Sequence, residues 1–241
     1  MTDDSASKEL RKLVRSILDE CWPQSDNQVP KYSPPGFLFR KDVQDHPIPF
    51  FGNLIDAEVI TIAVNPSSTE FKPWRNWGPQ RLSPDVLTSR LAGYFKSTQP
   101  KPHPWFAEAE EALNILGCSY TNNVAHLDLS PRATRSMRSF VTPRERKEFL
   151  TMLKNDVKWL AQMFALIQKP KLVILIGKVI DERDHRGIGI GDFLLRHAPD
   201  LWNGILDGRR WPQTPCSKTQ LTDRIFRKRN ALLEFLQCNQ N

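Results

Sequence analysis

Apolar residues recur along the chain with two different periods, and these predict helices that alternate with strands. Residues 7–20 and 150–167 place apolar side chains three and four positions apart, as amphipathic helices do when one face packs on a core. The nearly continuous apolar runs at 59–64 and 172–176 predict strands that are buried on both faces. Helices that separate buried strands are typical of an α/β protein with a mainly parallel sheet.

Two helices are predicted between the first strand and the second. Ser83 caps the first helix, which begins at Pro84, and the second helix runs over 104–116 and ends at Gly117. The next strand is predicted over 118–127, although its residues are unusually polar for the interior of a sheet. Polar side chains placed there must be paired or must face a cleft.

The second half of the chain adds a long helix, a strand and a last helix. Thr142 and Glu145 form a capping-box pattern that opens the long helix, which ends near Ile167, and apolar spacing predicts the last helix over 219–236. The glycine-rich segment 187–191 is predicted to be a turn, because it lacks the preceding strand and the spacing of a dinucleotide-binding fingerprint.

This order of elements predicts a three-layer α/β/α sandwich with a mainly parallel central sheet. We expect residues 1–50 to form an N-terminal helix and an irregular wrap, and residues 51–241 to form a single α/β domain. The length of 241 residues and the hydrophobic content of 39% are sufficient for one substantial core. In such a sheet, Asn65 and Asn122 are expected to meet at one edge.

Composition narrows the classes of protein to which this chain can belong. The sequence has no apolar run near the length of a membrane span and no signal-peptide pattern, so we expect a cytoplasmic protein without membrane attachment. Its 4 cysteines are far apart and form no CxxC pair. This spacing argues against a metal cluster and against a disulfide framework, and we expect neither a metal site nor a cofactor.

Basic residues outnumber acidic ones, and the formal net charge of +7 points to a polyanionic partner. The surplus is concentrated in two segments, 132–147 and 209–229, in which Glu145 and Asp223 are the only acidic residues. These segments could together form a surface that follows DNA phosphates. The alternative interpretation is that they are solvated faces of helices.

The segment around Asn65 carries the strongest functional signal. A buried strand stops at Asn65-Pro66, and Ser67 and Ser68 follow it. The carboxyl ends of parallel strands are where open α/β sheets bind their ligands. The turn after the strand leaves backbone N–H groups free to grip a phosphate or the polar edge of a base, although an ordinary turn has the same composition.

The order and spacing of these segments over residues 57–236 resemble the uracil-DNA glycosylase superfamily, and particularly its mismatch-directed uracil/thymine branch. The resemblance rests on VNPSS after the first strand, GCSYTNNV at the second, the later strand LVILIGK, and a short Pro- and Ser-containing loop before the last helix. It implies that Asn65 holds the attacking water and that Asn122 reads the extruded base. It also implies that the loop 211–217 grips DNA, with Gln213 or Ser217 replacing the family's usual His or Asn.

Further site residues complete this prediction. His126 and Asp128 share a strand face with Asn122 and are candidates for helping to activate the water, although His126 could be purely structural and Asp128 could cap the next segment. Ser67 and Phe71 are predicted to contact the base, with Trp74 or Trp77 as alternatives for stacking and core packing as a further possibility. The predicted DNA contacts are Ser68, Ser217, Lys218, Arg209, Arg210, Arg132 and Arg135.

The predicted activity is that of a monomeric, monofunctional DNA glycosylase in DNA repair or defence. It would hydrolyse the N-glycosidic bond of a flipped-out uracil or another altered base, including a bulky modified cytosine, and leave an abasic site. One alternative is a non-catalytic nucleic-acid-binding module with the same fold. Another is a metal-dependent hydrolase that uses His126 and Asp128, but the chain offers no further carboxylates at helix or strand spacing.

Overall fold

A four-stranded, mostly parallel sheet lies at the centre of the fold. This confirms the predicted α/β class and the mainly parallel sheet. The structure is a computed structural model. It describes residues 3–21, 33–39, 46–66, 82–97, 102–167, 170–180, 187–206, 229–231, 233–234 and 236.

The four strands are β1 (Phe50–Phe51), β2 (Val59–Ala63), β3 (Val124–Asp128) and β4 (Leu172–Leu175). Their order across the sheet is β1-β3-β2-β4. Strand β2 is parallel to both of its neighbours, and β1 runs antiparallel along β3. All five residues of β2 are buried, as expected for a strand covered on both faces.

The described helices begin at a predicted cap or proline in three cases, at Pro84, Pro104 and Pro143. They are α1 (Asp3–Cys21), α2 (Pro84–Ala92), α3 (Pro104–Asn114), α4 (Pro143–Leu166), α5 (Ile190–His197) and α6 (Pro199–Leu206). The Ser83 side chain accepts a hydrogen bond from the Val86 N–H at the start of α2. Thr142 and Glu145 form the predicted capping box at the start of α4.

One hydrophobic core joins the sheet to the helices, including the N-terminal one. Val14, Ile17 and Leu18 of α1 are fully buried in this core, where α1 packs on α2 and α4. Complete burial of a side chain of this size contributes about 1.5–3 kcal/mol, so α1 is an integral part of the fold. None of the helices in the described ranges has the length and apolar character that crossing a membrane requires.

The second long strand is shorter than predicted, because residues 119–123 form a turn. The backbone N–H groups of Asn122, Asn123 and Val124 all donate to the carbonyl of Ser119. The Asn123 side chain accepts from the Ser119 N–H, and the Glu110 carboxylate accepts from the Ser119 hydroxyl. Short polar side chains that bond nearby backbone in this way stabilise turns rather than strands.

The glycine-rich segment 187–191 forms a short strand and the start of a helix instead of the predicted turn. Strand β5 (Lys178–Val179) pairs with β6 (Ile188–Gly189) in a second, antiparallel sheet, and α5 follows directly. Gly187 has a φ of 66°, and a Cβ there would lie 2.6 Å from the Val179 carbonyl oxygen. Only glycine fits both the conformation and the space.

We expect the start of α4 to lose stability in acid through Glu145. The backbone N–H of Thr142 and the Arg135 guanidinium donate to this carboxylate and lower its pKa to about 2. A lowered pKa stabilises the fold above the ordinary value, and that contribution is lost as the pH falls towards the lowered one. The difference in free energy of unfolding between the natural protein and Glu145→Gln should therefore shrink between about pH 4.5 and about pH 2, measured by urea denaturation. A difference that stays constant over this range would contradict the assignment.

Candidate functional site

The carboxyl ends of β2 and β3 lie side by side at a point where the order of the sheet reverses. The chain passes from β2 to β3 on one side through α2 and α3, and then returns through α4 to β4 on the far side of β2. In open parallel sheets, ligands bind in the crevice beside such a reversal. Asp128 ends β3 opposite Ala63, and Asn65 follows two residues after Ala63. These two side chains therefore mark the candidate site.

The amide nitrogen of Asn65 is anchored by three acceptors. It donates to the carbonyl oxygens of Pro66 (2.8 Å) and Arg132 (3.2 Å) and to the Thr134 hydroxyl oxygen (2.8 Å). Thr134 donates its own proton to the carbonyl of Arg135 at 2.9 Å, so its oxygen is an acceptor for Asn65. Because carbonyl oxygens cannot donate, the amide NH₂ group must face them.

This anchoring fixes how Asn65 can interact with a substrate. The three bonds use the nitrogen, so Oδ1 is the polar side-chain atom that they leave for other contacts. Asn65 is partly exposed at the end of its strand. An amide oxygen in this position accepts a hydrogen bond from water and can hold it in one orientation, but it is too weak a base to remove the proton.

His126 lies in a buried chain of hydrogen bonds that crosses from β2 to β3. Its Nδ1 is 2.8 Å from the Thr61 hydroxyl, which is in turn 2.9 Å from the Tyr120 hydroxyl. Its Nε2 is 3.5 Å from Asp128 Oδ1, longer than a good hydrogen bond. His126 is 3% exposed and Asp128 is 7% exposed. Both ring nitrogens therefore face protein groups rather than solvent.

One assignment of protons satisfies every member of this chain. Tyr120 donates to Thr61, Thr61 donates to Nδ1 of His126, and the N–H at Nε2 points towards Asp128. The contact from Thr61 to the carbonyl of Ala125, at 3.4 Å, is the weaker alternative for the Thr61 proton. Burial raises the pKa of Tyr120, which keeps its hydroxyl protonated and able to donate.

Three aromatic rings surround the imidazole ring of His126. The rings of Trp105, Phe106 and Phe51 have centroids 5.1 Å, 5.2 Å and 6.1 Å from the imidazole. Tyr120 stacks on Phe95 with ring centroids 4.5 Å apart. His126 is therefore packed among these rings, with Nε2 facing Asp128.

The prediction that Asn122 shares an edge with Asn65 is wrong. Strand β3 begins at Val124 and runs parallel to β2, so Asn122 lies before the amino end of β3 while Asn65 lies beyond the carboxyl end of β2. Asn122 is exposed in the turn at 119–123. Asn122 and Asn65 therefore lie at opposite ends of the paired strands rather than at one edge.

Arg132, a predicted DNA contact, lies inside the protein rather than on its surface. Arg132 is 6% exposed, and its Nε donates to both carboxylate oxygens of Asp156, at 3.3 Å and 3.0 Å. A guanidinium buried in an ion pair is not available to a phosphate. Arg135 is more accessible, with 32% of its side chain exposed, but it is paired with Glu145 and lies over the Phe140 ring.

The other predicted site residues lie outside the part of the chain that the structure describes. These residues are Ser67, Ser68, Phe71, Trp74, Trp77, Arg209, Arg210, Gln213, Ser217 and Lys218. Their roles stay predictions. The last helix, predicted over 219–236, is helical at each of the positions described there, which are 229–231, 233–234 and 236.

Sequence reasoning overlooked Thr61, Tyr120, Thr134 and Asp156. Two of them carry a signal that is visible in the chain. Thr61 is the only polar residue in an otherwise apolar buried strand, and Asp156 falls on the apolar stripe of α4 between Leu153 and Leu160. A polar group in such a position requires a buried partner. Tyr120 and Thr134 lie in loops, where the sequence pattern does not show which side chains turn inward.

Within the described ranges, no group of three or more His, Cys, Asp or Glu side chains is placed to hold a metal ion. A comparison of the sequence with models of protein families and with curated proteins finds no match. Any functional interpretation therefore depends on the geometry of the site and on the segment resemblance described above.

We expect Thr61 and Tyr120 to be energetically coupled. Thr61→Val should lower the free energy of unfolding by about 1–3 kcal/mol, because it leaves the Tyr120 hydroxyl and His126 Nδ1 buried without their partner. Adding Tyr120→Phe removes one of these unpaired groups. The double variant should then lose less stability than the sum of the single variants, measured by urea denaturation as a double-mutant cycle. Additive losses would show that the two hydroxyls do not interact.

Proposed function

We propose that this protein is a DNA glycosylase that hydrolyses the N-glycosidic bond of a flipped-out uracil or other altered base and leaves an abasic site. The proposal combines the segment resemblance with the location of Asn65 at the carboxyl end of the central strand. It extends to the fold, for which we propose the three-layer α/β/α arrangement of the uracil-DNA glycosylase superfamily.

The topology supports this layered arrangement. The connection from β2 to β3 and the connection from β3 to β4 move in opposite directions across the sheet. Parallel crossovers are nearly always right-handed, so connections in opposite directions cover opposite faces. By this rule α2 and α3 cover one face and α4 covers the other.

The observation that carries the proposed activity is the anchored amide of Asn65. Hydrolysis needs a water molecule held in line with the bond that breaks, and correct orientation of the reacting groups is a large part of catalysis. The three acceptors around Asn65 Nδ2 leave the amide oxygen as the group that orients this water. In the reaction the water oxygen bonds to C1′ of the sugar, and the electron pair of the C1′–N bond leaves with the base. The proton that the water loses passes through solvent to the departed base and neutralises it.

Asp128 supports the same step by electrostatics. Positive charge develops on the sugar as the bond to the base stretches, and a nearby carboxylate stabilises that charge. Asp128 ends the strand beside Asn65, and His126 contacts it from the buried side. We assign Asp128 the role of stabilising the sugar and His126 the role of orienting Asp128.

Recognition of the base and of DNA is proposed for residues in the loops that follow. Because Asn122 lies at the other end of the strands from Asn65, Ser67, Phe71 and Gln213 are the proposed contacts to the base. The proposed contacts to the DNA backbone are Ser68, Ser217, Lys218, Arg209, Arg210 and Arg135. A basic protein of net charge +7 gains affinity for DNA through phosphate contacts of this kind.

A second candidate function is a DNA-binding module of the same fold that has no catalytic activity. Two observations favour this non-catalytic candidate: His126 is buried, and Asn122 lies at the other end of the strands from Asn65. Neither side chain is then beside Asn65 at the surface, where the resemblance predicts polar groups of an active site. This candidate predicts salt-dependent DNA binding that does not depend on Asn65.

Base release from oligonucleotides tests the proposal directly. The substrates carry uracil, mismatched thymine or bulky modified cytosines, and alkaline cleavage reveals abasic sites. The natural protein should release at least one of these bases, and Asn65→Ala should slow single-turnover release about 100-fold, the loss expected when a reacting group is no longer oriented. The dissociation constant for DNA should change little.

Asn122→Ala is the matched control, because it deletes the same amide from an exposed turn at the opposite edge of the sheet. It should leave the rate of base release unchanged. Absence of release from every substrate, together with intact salt-dependent binding, would replace the glycosylase proposal by the non-catalytic one.

A further inference from the structure

The loop after β3 is bonded along its length to the residues that end β2. The N–H groups of Leu129, Ser130 and Thr134 donate to the carbonyls of Ala63, Val64 and Pro66, respectively. The same loop supplies two of the three acceptors of the Asn65 amide, namely the Arg132 carbonyl and the Thr134 hydroxyl. The position of Asn65 therefore depends on the shape of this loop.

A buried polar cluster fixes that shape from the side of α4. Asp156, which is fully buried, accepts from the Ser130 hydroxyl at 2.6 Å and from Arg132 Nε at 3.0 Å. The Ser130 oxygen also accepts from the backbone N–H of Arg132 at 3.1 Å. Arg132 thus directs its side chain towards Asp156 and its carbonyl towards Asn65.

We propose that Ser130, Arg132 and Asp156 are positioning residues that orient the amide of Asn65 through the backbone of the loop. The link to catalysis relies on the glycosylase activity proposed above, whereas the link to the Asn65 amide does not. None of the three residues needs to touch substrate. Their role is to keep the Arg132 carbonyl and the Thr134 hydroxyl in place as acceptors.

Burial makes this cluster sensitive to the loss of any member. Desolvation raises the pKa of Asp156 and the positive charge of Arg132 opposes that rise, so each charge is tolerated because the other is present. Without Ser130, the backbone N–H of Arg132 loses its acceptor inside the protein. A buried donor without a partner is costly, and the loop is expected to move in order to satisfy it.

The side-chain amide signal of Asn65 in ¹⁵N-labelled protein tests the link without reference to activity. Asn65→Ala identifies this signal by its disappearance. In the natural protein its protons should exchange slowly with solvent, because both are held by acceptors. Ser130→Ala should shift the signal and speed the exchange about tenfold or more, the change that follows from the loss of one hydrogen bond.

Thr88→Val is the matched control, because the Thr88 hydroxyl is buried in α2 and has no partner among the described residues. It should leave the Asn65 signal unchanged. Asp156→Asn keeps the size of the side chain and provides a second perturbation of the cluster should Ser130→Ala fail to fold. An Asn65 signal that is unchanged in the folded variants of Ser130 and Asp156 would overturn the proposal.

Single-turnover base release then tests the effect on catalysis. Ser130→Ala should lower the rate without weakening DNA binding, by up to the roughly 100-fold expected for loss of orientation. In an Asn65→Ala background, Ser130→Ala should cause no further loss, because the residue through which it acts is already absent. Independent losses that multiply would indicate a merely structural role. If Ser130→Ala changes the Asn65 amide signal but the protein releases no base, the cluster does position the Asn65 amide and the proposed glycosylase function is rejected.

Discussion

The buried ion pair between Arg132 and Asp156 is the interaction on which the carboxyl edge of the sheet depends. Asp156 belongs to α4, which follows β3 in the chain, and Arg132 belongs to the loop that borders Asn65. Two charges that share a low-dielectric interior are stable only while each keeps its partner. The pair therefore connects the packing of a long helix to the placement of one amide at the end of the central strand.

The chemistry available at this edge follows from the partly exposed Asn65 and the buried Asp128 beside it. Asn65 carries no charge, so in the proposed reaction it would orient a water molecule without activating it strongly. Asp128 adds a carboxylate on the neighbouring strand, held from below by His126. The glycosylase reaction proposed above would use such a site through orientation and electrostatics rather than through proton removal by a strong base.

Local signals in the sequence were sufficient for most elements of the fold. Proline and capping residues marked the starts of α2, α3 and α4, and apolar runs marked β2 and β4. The site was harder to predict, because its contacts join distant segments. Asn122 illustrates the difficulty, because the polar residues around it bond one another in a turn and the strand starts later than predicted. The pairing of Arg132 with Asp156 likewise depends on how α4 packs on the loop, which no local pattern specifies.

In the proton assignment given above, the hydrogen bonds from Tyr120 to Thr61 and from Thr61 to His126 point in the same direction, and Nε2 of His126 faces Asp128 at 3.5 Å. Each hydroxyl has a single proton, so none of these groups can reverse its role while its neighbours keep theirs. Hydrogen bonds in such a series polarise one another, so Tyr120, Thr61 and His126 are linked through their protons. His126 thereby connects the carboxylate that ends β3 to a phenol buried among aromatic rings through side chains alone.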